Sequence, residues 1–180
     1  MVRDLARTTV RKGPLGEGKE VSAKFRRAML LAEHSPIRAL SFRYTLHNLK
    51  SWVSVHLVRH WLGVVHFVST QRTDRTGVDR NQMPQDTPVT HEMVANPQAL
   101  IYMSRKRLCF LTSPETTEAW RKVKTGIVSV DPDVAAVMVP ECVYRGFCPE
   151  TVKCKPRYDE TPKFQRDLEA YRANAGWRNS

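Results

Sequence analysis

Leu40-Ser41-Phe42-Arg43-Tyr44-Thr45-Leu46 alternates apolar and polar side chains, and just beyond it the period changes: Leu49, Val53, Leu57 and Trp61 recur every four residues. Alternation is the mark of a half-buried strand, and a four-residue recurrence places side chains on one face of a helix. The sequence therefore predicts a strand followed at once by a long helix from about Asn48, with Arg59 and His60 near its C-terminal end. The run after Gly63, Val64-Val65-His66-Phe67-Val68, is β-branched and aromatic and suits strand and helix equally.

Upstream of the strand, a helix is expected after Ser22, with Phe25, Met29 and Leu30 on one face, ending before Pro36. Residues 1–20 hold Gly13-Pro14, Gly16 and Gly18 among charges and read as a flexible basic arm. Downstream, residues 70–90 are polar, with Thr76-Gly77, Pro84 and Pro88, and read as connecting structure. Four further helices are marked by a capping residue followed by proline: Asn96-Pro97, Ser113-Pro114, Asp131-Pro132 and Thr161-Pro162. The first is expected to run to about Leu111, the second to Thr125 before Gly126, the third to stop by Pro140 and the last to end near Gly176. The fold class is α+β, a helix-rich domain with a small antiparallel sheet. Its expected organisation is a basic arm (1–20), a catalytic domain (21–140) and a Cys-containing C-terminal extension with a terminal helix (141–180).

A chain of 180 residues with 41% hydrophobic content is enough for one domain with a substantial core. Its net charge of +11 favours anionic partners such as nucleotides, phosphorylated cofactors, nucleic acid or an acidic surface. The N-terminus lacks the apolar core of a signal peptide and no long uncharged apolar run follows, so the expectation is a soluble cytoplasmic protein without a membrane partner. Nucleic acid is the disfavoured partner. The basic residues outside the central motif read as a solvated face, and few aromatics accompany them for stacking.

Arg59-His60 at a helix end, with Ser69 beyond it, is a pattern suited to gripping phosphate, because the planar guanidinium matches two oxygens at once and a hydroxyl completes the shell. The plainer reading is a helix end whose basic residues meet solvent and the negative end of the helix dipole. Cys142, Cys148 and Cys154 stand at equal intervals of five intervening residues. Structural zinc usually asks for tighter pairs and a fourth ligand, for which Cys109 or His91 would have to be brought near; ordinary buried thiols are the simpler reading, and no metal is assigned. Neither Cys142 nor Cys148 has a histidine or arginine constellation suited to a nucleophile.

The stretch Arg59-His60-Trp61, followed after seven residues by Ser69, resembles the signature of the flavin-dependent thymidylate synthase family, the ThyX type. Three more segments fall in the family's order. Ala32-Glu33-His34-Ser35-Pro36-Ile37 is similar to its flavin-contacting His-Ser segment, and Arg80-Asn81-Gln82-Met83-Pro84 to its Arg-x-x-Leu-Pro segment. Asn96-Pro97-Gln98-Ala99-Leu100, continuing to Arg105-Lys106-Arg107-Leu108, resembles its Asn-Ala-Arg helix. The resemblance implies a homotetramer with active sites where subunits meet, converting dUMP to dTMP with methylenetetrahydrofolate as carbon donor, FAD as the redox cofactor and NADPH to recharge it.

Carried over by position, the resemblance implies that Ser35, Arg59, His60, Asn96 and Tyr102 contact the flavin. Arg59, Ser69, Gln71, Arg80 and Arg107 hold the nucleotide, and Arg107 and Ser69 are the catalytic pair, with Arg107 favouring the N3-deprotonated pyrimidine. Trp61 stands in place of the signature's third arginine, Gln71 and Gln98 replace two more arginines, and a helical segment of the family between Ser69 and Arg80 is missing. Those changes leave two alternatives open: hydroxymethylation of a pyrimidine deoxynucleotide, and a non-catalytic relative that binds nucleic acid.

Overall fold

The computed structural model describes residues 1–14 and 21–174. In chain order its elements are α1 (Val2–Thr9), α2 (Ala23–Leu31), a 3-10 turn (Ser35–Ala39), β1 (Phe42–Lys50), α3 (Ser51–Val58), β2 (Val64–Val68) and α4 (Thr73–Thr76). There follow a 3-10 turn (Arg80–Gln82), β3 (Pro88–Ala95), α5 (Pro97–Arg107), α6 (Pro114–Val130), α7 (Pro132–Val137), α8 (Glu141–Arg145), a 3-10 turn (Tyr158–Glu160) and α9 (Pro162–Asn174). The three strands form one antiparallel sheet in the order β1-β3-β2. The α+β class is therefore as expected, with helices on a small sheet.

Each helix start foreseen from a cap is present. Ser22 Oγ accepts from the Phe25 N–H at 3.2 Å, Asn96 Oδ1 from Ala99 at 2.9 Å, Asp131 Oδ1 from Val134 at 3.2 Å and Thr161 Oγ1 from Phe164 at 3.1 Å. Ser113 precedes α6 but turns its hydroxyl to Thr116 Oγ1 at 2.8 Å instead.

The period change after Leu46 has a different cause from the one the sequence suggested. Asn48 takes a left-handed conformation (φ 54°) where the β1-β3 register shifts between Leu46 and Leu49. Asparagine tolerates that region, so the strand absorbs an irregularity and continues to Lys50 with Leu49 buried. The helix is confined to Ser51–Val58, Arg59 is its C-cap, and Trp61 lies 72% exposed rather than on the buried face.

The central strand, β3, lies partly where connecting structure was expected. Val89, His91, Met93 and Ala95 alternate inward, and Pro88 is accommodated as the strand's first residue. The undecided run after Gly63 is the edge strand β2. Three other boundaries move. Helix α5 stops at Arg107, not Leu111, and α6 runs through Gly126 to Val130, because Ile127 beyond the glycine packs into the core and outweighs a penalty of ~1 kcal/mol. The segment read as an arm begins with α1, whose Ala6 packs against the main core; positions 15–20 of that arm, and Gly176, lie outside the described residues. α8 was not anticipated.

The main core joins the inner faces of α2, α3, α5, α6 and α7 to β3, around Trp120, which is fully buried, donates Nε1 to Ser104 Oγ at 2.9 Å and meets the Tyr44 ring edge-on at 6.3 Å. A second, smaller cluster of Val139, Val143, Tyr158, Phe164 and Leu168 underlies the C-terminal part. Tyr171 packs against both.

Candidate functional site

Helix α3, the turn after it and the end of α5 converge on Arg107. Its Nε donates to His60 Nε2 at 2.9 Å and its Nη2 to the His56 carbonyl at 2.6 Å. Both partners are neutral acceptors, and among the described residues no carboxylate pairs with Arg107. Burial, and then the charge of Arg59, lower its pKa, yet a guanidinium stays protonated at any ordinary pH. A half-buried cation without a counter-ion is stabilised by an incoming anion.

The histidines around it are assigned by their hydrogen bonds. A guanidinium can only donate, so His60 accepts through Nε2 and carries its proton on Nδ1, which has no partner among the described residues. Burial, then the charge of Arg107, push the His60 pKa down to about 4, which keeps the ring neutral. His66 Nε2 donates to the His60 carbonyl at 2.6 Å, and His66 Nδ1 shares a hydrogen bond with His91 Nε2 at 2.9 Å. His91 Nδ1 is buried and has no hydrogen-bond partner, and burial followed by the His66 interaction depresses the His91 pKa to about 4. His66 and His91 come from β2 and β3, where His91 lies opposite Val68, two positions from His66.

This relay fixes the turn that presents Arg59. Gly63 supports the same turn with φ +73°, and a Cβ there would stand 2.7 Å from the Asn96 side chain, so only glycine fits. Asn96 N donates to the Gly63 carbonyl at 3.0 Å while its Oδ1 caps α5. Asn96 thus has a structural task in addition to any ligand contact.

The other expected residues divide into two groups. Tyr102, 44% exposed, sets its ring edge-on to His60 at 5.5 Å and joins Arg59, His60 and Arg107. Ser69, Gln71 and Arg80 meet in a shallow pocket of about 160 Å³ with Ser51 and Arg72. Ser69 Oγ there accepts from the Thr90 N–H at 3.0 Å. Helix α3 links the groups: Ser51 at its start lines the pocket, and His56 and Arg59 at its end flank Arg107, ~12 Å away at 1.5 Å per residue. Ser35 opens the 3-10 turn before β1. Gln98, in the position of a family arginine, bonds Glu33, which also accepts from Tyr144 Oη at 2.8 Å. Two larger clefts, of about 530 and 590 Å³, lie elsewhere, beside α1 and α2 and between β1 and α6.

The donor set suits a phosphorylated aromatic cofactor. Arg59 has no ion-pair or hydrogen-bond partner among the described residues, His60 has a free Nδ1–H, and Tyr102 offers a hydroxyl and a ring face. His56 and His66 were missed by sequence reasoning, which weighed His91 only as a possible zinc ligand. The alternation of Val89, His91, Met93 and Ala95 was a readable signal for His91, but the pairing of β2 with β3 was not.

No protein-family model and no curated protein matches the chain. Among solved structures it is similar to the UMP/dUMP methylase PolB from Streptomyces cacaoi bound with 5-Br dUMP. The TM-score is 0.61 at 12% identity, over 81% of this chain and 89% of that one, so what the two share is the fold.

Proposed function

We propose that this protein is a flavin-dependent pyrimidine nucleotide methylase of the ThyX type, acting at C5 of dUMP or UMP with methylenetetrahydrofolate and NADPH as co-substrates. The observation that carries the reading is Arg107: a cation without a carboxylate, held by His60 and His56, on a fold shared with a UMP/dUMP methylase. Bound FAD would supply the redox chemistry, held by Arg59, His60, Tyr102, Asn96 and Ser35.

In this reading Arg107 lies against the pyrimidine ring and stabilises negative charge as it develops there. Because His60 is neutral and accepts from Arg107, the guanidinium keeps its orientation without losing its charge. Arg80, Ser69 and Gln71 take the nucleotide phosphate, and the distance along α3 calls for an extended nucleotide rather than a bare phosphate.

Assembly into a homo-oligomer, with the tetramer as the expected form, is part of the same proposal. Trp61 and Leu62 on the turn and Val65 and Phe67 on the edge strand β2 are each more than half exposed. An apolar, unpaired sheet edge favours association. No helix among the described residues is long and apolar enough to cross a membrane.

The test is the visible spectrum of the protein after incubation with FAD and removal of free ligand, repeated with dUMP and with UMP, and followed by mass analysis of the nucleotide after complete turnover. A retained flavin band that shifts with nucleotide, and a product heavier by one methyl group, are expected. A hydroxymethyl product would move the reading to the second chemistry, and failure to take up flavin would overturn it.

A further inference from the structure

All four cysteines of the chain line one small space between the end of α5, α8 and the loop that follows it. Cys109 comes from beyond α5, Cys142 from α8, and Cys148 and Cys154 from the irregular segment 146–157. None is in a disulfide and all are partly buried. The space is about 20 Å³, which suits one water-sized sphere or one ion and excludes an organic cofactor.

Three carboxylates border the same space but are engaged. Glu141 is held by Arg105 at 2.8 Å and Arg145 at 2.6 Å, Asp159 by Arg157 at 2.9 Å, and Glu150 faces Lys106 at 3.9 Å. The uncommitted donors are the sulfurs. Cys154 Sγ already accepts the Tyr158 N–H at 3.3 Å, the type of outer contact that orients a metal thiolate. Lys153, whose Nζ is 2.6 Å from the Cys148 carbonyl, and Lys106 supply positive charge nearby.

We propose that Cys109, Cys142, Cys148 and Cys154 bind one zinc ion in a tetrahedral four-thiolate site. Coordination releases the thiol protons and leaves a unit of net charge −2, which the neighbouring lysines offset. Four protein ligands leave no open position, so the zinc is structural. Its task is to hold segment 146–157, which contains no helix or strand and rests on the smaller cluster of five buried side chains. Among the described residues no three ligand groups stand in metal-binding geometry. The sulfurs therefore rotate onto the ion as it binds, as expected where coordination and local folding are coupled.

The experiment is elemental analysis of the full chain purified under reducing conditions, together with titration of the metal-free protein by Co(II). One zinc per chain retained through desalting, an intense thiolate-to-cobalt absorption saturating at one equivalent, and thiols shielded from a thiol reagent until a chelator is added are expected. Cys148→Ser and Cys154→Ser should each weaken cobalt binding at least tenfold. If those variants do not fold, the cobalt titration of the unaltered chain decides alone. A folded protein with less than stoichiometric zinc and four freely reactive thiols overturns the proposal. So does a mass two hydrogens low from a disulfide, metal binding indifferent to both substitutions, or iron with sulfide in place of zinc.

Discussion

Arg105 and Arg107 lie two residues apart on α5 and face different regions. Arg105 turns to the C-terminal part, where the Glu141 carboxylate, 3% exposed, accepts from it at 2.8 and 3.0 Å and the Tyr144 ring lies 4.0 Å below its guanidinium. Arg107 turns to the end of the sheet, where a histidine nitrogen and a carbonyl oxygen accept from it and no carboxylate does. Side chains at i and i+2 diverge around a helix, so the same residue type can be a neutralised structural tie on one side and an unneutralised cation on the other. The difference separates an arginine whose carboxylate partner is built into the fold from one that has no carboxylate partner among the described residues.

The largest effect is expected from removing the built-in partner. Glu141→Ala leaves Arg105, Lys106 and Arg145 without their shared carboxylate and should cost about 3–5 kcal/mol in denaturant unfolding. A loss below about 1 kcal/mol would mean that the C-terminal part is held by something else.

Arg107→Ala should do the reverse. Its stability change should lie within about 1 kcal/mol, because a desolvated cation without a counter-ion is lost. Its kcat/KM for the nucleotide should fall about 10²–10³-fold. Retained turnover would remove the assigned role, and a large loss of stability would erase the contrast with Arg105.

The two regions should also respond to different pH windows. His60 and His91 sit at about 4 when folded, below their ordinary 6.5, so as pH falls from 6.5 to 4 the unfolded chain takes up protons that the folded one refuses, and stability is lost. His91→Gln should flatten that limb by about 3 kcal/mol. Burial raises the Glu141 carboxyl, but hydrogen bonds from Arg105 and Arg145 and the nearby charges outweigh it and hold the pKa at about 2. Its contribution is therefore present above about 4.5 and lost between 4.5 and 2. Unfolding midpoints measured from pH 7 to 2 should show both windows in the native chain, and in His91→Gln an upper window reduced to the part that His60 contributes.

The smallest effect belongs to neither region. Arg43 and Glu92 pair at 2.9 and 3.1 Å across β1 and β3, but the arginine is 73% exposed. Glu92→Gln should change stability by less than about 1 kcal/mol. A larger value would show that surface pairing on the sheet contributes more than exposure allows.

Local chemistry determined the parts of this protein that were legible in its sequence. Caps and prolines at Asn96-Pro97, Asp131-Pro132 and Thr161-Pro162 mark helix starts because the unsatisfied N–H groups are met within the same few residues. Alternation from Phe42 to Leu46 marks a strand because one face of it is buried. Arg59-His60 followed by Ser69 read as a pattern suited to gripping phosphate, whereas Arg107 was singled out only by the family resemblance. Tertiary structure decided what depends on partners distant in sequence. β3 became the centre of the sheet because β1 and β2 both pair with it, and α6 passed Gly126 because the main core receives Ile127. Arg107 was left unneutralised only once His56 and His60 were folded against it, and the four cysteines met only when α5 packed on α8. Hydrogen bonding and capping act over a few residues, whereas a counter-ion, a strand partner or a fourth thiol has to be delivered by the rest of the chain.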